Sequence, residues 1–184
     1  MNNIIKWTII VIGCLAVLAF VGFHFMMART KAHSPQETVS YEQGDLDIAV
    51  AYSRPYKKDR AIFGELLPYG EVWRTGANEA TVFTTSQALR IDGQPLPAGT
   101  YTLWTIPTAR QWTVLFNEKS YDWGLNFDGT SPHDPSADVV TVDVPVQAPA
   151  APVEQFTIRF TKAPLAMVLE WDDAQVNVPI QTTN

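Results

Sequence analysis

From Trp7 to Ala28 the chain reads WTIIVIGCLAVLAFVGFHFMMA, 22 residues without an Asp, Glu, Lys or Arg. Hydrocarbon offers no water to hydrogen-bond an open backbone, so a lone run of this kind is stable there only as a helix, and at a rise of about 1.5 Å per residue roughly 20 residues cross the bilayer core. The sequence therefore divides into an N-terminal tail over 1–6, a transmembrane anchor over 7–28, a polar tether over 29–37 and a separate domain over 38–184. A cleaved signal sequence is the main rival, but the apolar run exceeds the roughly 7–15 residues such peptides use, and no small-x-small cleavage site follows it cleanly. Cys14, the single cysteine, closes a lipoprotein-like Val11-Ile12-Gly13-Cys14, yet Leu15 to Met27 stays apolar where a lipidated chain would turn into a polar tether; Cys14 reads as an inert helix residue. Lys6 before the run and Arg29 and Lys31 after it nearly balance the positive-inside count. The short tail is assigned to the cytoplasm, which places the domain outside it and the protein in a single-pass topology at the cell membrane.

Beyond residue 33 there are ten Lys and Arg against nineteen Asp and Glu, a formal net charge of −9. That sign excludes nucleic acid as a natural partner and keeps the domain soluble and off anionic lipid. No cysteine remains to form a disulfide, so stability must come from a packed core.

The domain reads as all-β. Leu46, Ile48, Val50 and Tyr52 alternate with Asp45, Asp47, Ala49 and Ala51, the period of two of a half-buried strand. Similar runs occupy 80–86, 88–92, 99–107, 111–117, 138–144, 155–161, 166–172 and 174–180, separated by turn signals such as Asp92-Gly93 and Asp172-Asp173. About nine short strands of this kind describe a single β-sandwich or jelly-roll-like domain. The longest non-alternating stretch, 53–78, holds Ile62, Phe63, Leu66, Leu67, Tyr69, Val72 and Trp73, too apolar to hang in water; it is expected to cap one open end of the sandwich.

At the end of that stretch, VWRTGANEAT brings together residues able to make a site. Arg74 offers a planar fork of donors suited to carboxylate or phosphate, Asn78 both donates and accepts, Glu79 accepts or titrates, and Gly76 is placed to supply a positive-φ corner. Two arrangements fit. Arg74 and Glu79 can pair and staple the cover loop to the next strand, or Arg74, Asn78 and Glu79, with Trp73 as an aromatic wall, can line a site for a small polar, anionic or sugar-like ligand or for an envelope protein partner. Trp104 and Trp112 lie within alternating strands and read as core. A hydrolase is the alternative of a different class: Glu79 could join a second acid in glycosidase chemistry, whereas a Ser-His-Asp system would have to rely on His133 alone and no G-x-S-x-G elbow is present. His133, Asp134 and Asp138 form a loose N/O set in a Pro/Ser-rich loop without metal-site spacing, so no metal and no cofactor is assigned.

The string RPYKKDRAIFGELLPYGEVWRTGANEATVFTTS, followed by LPAGTYTLWTIPT and WTVLFN, resembles the bacterial domain-of-unknown-function family numbered 2911, over roughly residues 45 to 162. The resemblance implies an exported, often membrane-tethered β-domain with no established activity. Downstream the pattern loosens at DWGLNFDGTSPHDPSADVVTV, where the family often has an arginine near the position of Thr141, so no role of that arginine carries over.

Overall fold

The computed structural model describes residues 2–183. They fall into an N-terminal unit ending at His33 and a second unit beginning at Ser34. The first is one helix, α1 (Asn3–Ala32), long and apolar enough to cross a membrane. Its large apolar side chains from Ile4 to Met26 are exposed, and Thr8 and Thr30 turn their hydroxyls back onto the carbonyls of Ile4 and Met26 at 2.9 and 3.0 Å, satisfying themselves without water. The helix outruns the apolar segment because Arg29 and Lys31 suit the negative end of its dipole.

The second unit is all-β, with strands β1 (Gln36–Gln43), β2 (Leu46–Ser53), β3 (Thr81–Thr85), β4 (Leu89–Ile91), β5 (Gln94–Leu96), β6 (Gly99–Pro107), β7 (Gln111–Asn117), β8 (Asp138–Gln147), β9 (Val153–Lys162), β10 (Leu165–Asp172) and β11 (Ala174–Thr182). Nine of the eleven coincide with the runs read from sequence. The additional two are β1, which begins inside the expected tether, and β5, three residues that pair with β4. All pairings are antiparallel, in the order β1-β2-β3-β6-β7-β8-β11-β10-β9, with the β4-β5 hairpin attached to β11.

β8 turns the corner between two layers: it pairs with β7 from Asp138 to Pro145 and with β11 at Val146 and Gln147. Between the layers one core draws on both, including Ile48, Val50, Phe83, Leu103, Val114, Phe116, Phe156, Ile158, Leu169 and Val178. The 53–78 stretch crosses one end of this core. Ile62 is buried there, and the Phe63 ring lies 5.2 Å from that of Trp112 and 6.4 Å from that of Trp171.

Where the two ends of the sheet meet, β2 is tied to β9 by side chains. Tyr52 Oη accepts from Ile158 N at 2.8 Å, and Arg54 donates to Phe156 O at 3.1 Å and forms an ion pair with Glu37 at 2.6 Å. Burial, opposed by the Ile158 hydrogen bond, pushes the Tyr52 hydroxyl up to about 12. An acid whose folded value is raised favours the folded state below its ordinary value near 10; stability is lost as pH climbs from there through the folded value. Tyr52→Phe should cost about 1 kcal/mol at neutral pH, the usual worth of a buried hydrogen bond, and should flatten the loss of stability between pH 10 and 12 in urea unfolding. An unchanged alkaline limb in the variant would show that another group governs it.

Candidate functional site

The site begins with a single antiparallel bridge. Trp73 N donates to Thr105 O at 2.7 Å and Thr105 N to Trp73 O at 2.9 Å, pinning the end of the cover stretch to β6. Trp73 then faces the core: its ring stacks on Trp171 at 5.9 Å and 20°, meets Phe156 at 4.9 Å, and its Nε1 donates to Gly76 O at 2.9 Å. Because successive side chains of an extended segment leave on opposite sides, Arg74 is sent to the outer face of the sheet. The sequence groups Trp73 with the site, but the structure places it in the core, on the side away from Arg74, where the chance to bury a large ring among aromatics decides its position.

The turn after Arg74 is held in unusual backbone. Thr75 has φ +55° and Asn78 φ +59°, costly for non-glycine residues and most of all for a β-branched one. Buried hydrogen bonds hold it there: Thr75 Oγ1 donates to Thr105 Oγ1 at 3.2 Å, and Thr81 Oγ1 donates to Thr75 O at 2.8 Å. Gly76 has the positive φ expected of it, and Thr75 and Asn78 add left-handed corners before and after it. Gly76 itself, at φ +158°, answers to crowding, since a Cβ there would lie 2.9 Å from Ser53 O and 3.1 Å from Thr81 Oγ1.

Arg74 and Glu79 are not a pair. Glu79 Oε2 accepts from Ser53 Oγ at 3.4 Å, while Arg74 has neither hydrogen bond nor ion pair among the described residues, and its Nε is sealed from solvent without an acceptor. Burial pushes the guanidinium below its ordinary value, with no carboxylate to offset it. Its aliphatic stem lies against the backbone of Gly124, whose missing side chain leaves the room: a Cβ there would fall 2.0 Å from Arg74 Cδ. Asn78, 5% exposed, holds the same glycine from the other direction, its carbonyl accepting from Gly124 N at 3.1 Å while its Nδ2 reaches Ser34 O at 3.4 Å.

Gly124 belongs to the excursion between β7 and β8, which covers the outer face of β6. Beneath it is Trp104, fully buried, with Tyr121 edge-on at 5.2 Å and His133 at 5.5 Å. A polar network fastens the excursion down. His133 Nε2 contacts both Asp138 oxygens at 2.9 and 3.1 Å, Asn117 Nδ2 donates to Asp138 Oδ1 at 2.8 Å, and Asp134 N donates to Tyr121 Oη at 3.0 Å. Asp134 is held apart by Ser136 and by Lys119, so the loose N/O set seen in sequence is a set of fastenings; among the described residues no group of three is arranged to hold a metal ion.

The feature that sequence reasoning missed is this second buried layer. Five consecutive β6 residues, Tyr101 to Thr105, are buried, which requires cover on both faces of the strand. The signal was present in Trp104, a large ring on the opposite parity from Tyr101 and Leu103. By the register of the Trp73–Thr105 bridge, Arg74 falls opposite Trp104, and the indole Nε1 of Trp104 is also buried without an acceptor. The outer face thus carries two neighbouring residues whose N–H donors lack partners.

Arg74→Met keeps a stem against Gly124 and removes a buried Nε donor that has no acceptor. It should raise stability by about 1 kcal/mol, the lower range for an unsatisfied buried polar group. A fall in unfolding midpoint would mean that the guanidinium has a structural partner.

No curated protein and no solved structure matches the chain. Residues 34–180, which include β1 to β10 and most of β11, match a family model. On that span the chain belongs to the family described as Protein of unknown function (DUF2911).

Proposed function

We propose that the protein is a membrane-anchored binding module, held at the bacterial cell membrane by α1 with its β-domain outside the cytoplasm, and that Arg74 meets a small polar or anionic ligand or the matching group of an envelope protein. The observation that carries this reading is Arg74, whose Nε is buried without an acceptor, which has no ion pair among the described residues, and which is kept in place by Gly124 and by a turn with two strained residues. Unpartnered buried donors are rare because each costs free energy, and strain of this kind collects at functional sites. A second reading, hydrolysis through Glu79, draws less support, since glycosidase chemistry turns on a pair of acids, whereas the buried group without a partner at this site is a donor, Arg74 Nε.

The test is a thermal-shift screen of the full chain in detergent against sugars and small anions, run in parallel on Arg74→Met. A ligand-dependent rise in Tm that is lost in the variant supports the reading; a rise of equal size in both moves the site elsewhere. For the anchor, the full chain should stay in the membrane pellet after carbonate extraction, because returning some 20 apolar residues to water is prohibitive. Recovery of a soluble form beginning near residue 29 would identify α1 as a cleaved signal instead.

A further inference from the structure

We propose that the ligand group met by Arg74 is a monoanionic carboxylate, bound between the guanidinium and the neighbouring Trp104 indole; the inference rests on the binding reading above and names its chemistry. The two buried nitrogens without acceptors, Arg74 Nε and Trp104 Nε1, belong to groups that only donate. Neither guanidinium nor indole can accept a hydrogen bond, so what completes them must supply acceptor oxygens and no competing donors. An amine or other cation is excluded on that count. A sugar hydroxyl fits less well than an oxyanion, because each hydroxyl brings a proton that finds no acceptor in Arg74 or Trp104.

Charge selects among oxyanions. Arg74 is the one cation contributed by the turn, and Lys119, on the covering excursion, is already engaged with Asp134 at 3.5 Å. A single negative charge would leave a neutral, partly buried pair, whereas a phosphate dianion would leave an uncompensated charge in a domain of net charge −9. The planar guanidinium also matches a carboxylate in bidentate geometry. Two sources carry this group, a small free acid and the C-terminal carboxylate of a peptide, and the same donors serve both.

The experiment follows the side-chain N–H signals of Arg74 and Trp104 by two-dimensional proton–nitrogen NMR of the full chain in detergent micelles, assigned with Arg74→Lys and Trp104→Phe. Acetate, inorganic phosphate and a tetrapeptide in free-acid and C-terminally amidated forms are titrated at constant ionic strength with chloride as the balance. The expected result is a saturable shift of both signals with acetate or with the free-acid peptide, and none with the amidated peptide. Arg74→Lys should weaken the binding at least tenfold. A preference for the free-acid peptide over acetate points to a chain terminus, and equal affinity points to a small acid. Shifts with phosphate alone overturn the carboxylate assignment and leave the binding reading standing. No shift in the Arg74 signal with any probe, together with no stabilising compound in the thermal screen, removes both.

Discussion

Trp73→Ala is expected to destabilise the domain by about 3–5 kcal/mol, the range for emptying a large aromatic from a packed core. Three aromatic partners lose contact at once, Trp171, Phe156 and Trp112, along with the indole bond to Gly76 O. The ring also anchors the residue that bridges the cover stretch to β6, so its loss should loosen the 72–80 turn and relax Thr75 from its strained conformation. Urea unfolding in detergent micelles, followed by far-UV circular dichroism, measures the first effect; loss of the Arg74 side-chain signal from its native position measures the second. Trp73→Phe, which keeps an aromatic ring without the Nε1 donor, should fall between. A Trp73→Ala midpoint within about 1 kcal/mol of the parent would show that the cover stretch does not depend on the Trp73 ring.

The strands were legible because most have one buried face: in β2, Leu46, Ile48, Val50 and Tyr52 are buried while Asp47 is exposed and Ala49 and Ala51 are half-buried, and period two records that directly. β1 escaped because QETVSYEQ is an edge strand whose inward residues, Val39 and Tyr41, are only half-buried between acids and amides. β5 has three residues, one of them Pro95, too few for any period. At the site, sequence proximity picked out Arg74, Asn78 and Glu79 but could not choose their partners. Arg74 is positioned by a glycine fifty residues downstream and by a bridge to β6, and both are matters of register that local spacing does not contain. The pairing of Arg74 with Glu79 was the natural inference from opposite charges close in sequence. It fails because alternation about Trp73 turns Arg74 beneath the Gly124 excursion while Glu79 meets Ser53 on β2.

Gly124→Ala is the sharpest probe of how that arginine is held, and it should cost about 2–3 kcal/mol, within the range for overpacking a filled site. The new methyl would lie 2.0 Å from Arg74 Cδ, 2.6 Å from Cβ and 2.8 Å from Cγ. A flexible side-chain tip could swing away from such a clash, but the Arg74 Cβ is fixed to a backbone pinned beside the Trp73 bridge, so the excursion must lift instead. Lifting it strains the Gly124 N to Asn78 O bond and loosens the cover over Trp104. Arg74→Ala removes Cγ and Cδ while leaving Cβ, which makes the expected rescue partial: Gly124→Ala should cost at least about 1 kcal/mol less in the Arg74→Ala background, a coupling typical of residues in direct contact. The binding prediction separates from the stability one, because Gly124→Ala keeps the guanidinium and moves it. Carboxylate affinity should therefore fall in Gly124→Ala even at temperatures where the domain remains fully folded. Equal destabilisation in both backgrounds would mean that Arg74 does not occupy the space left by Gly124, and the geometry on which the site is built would fall with it.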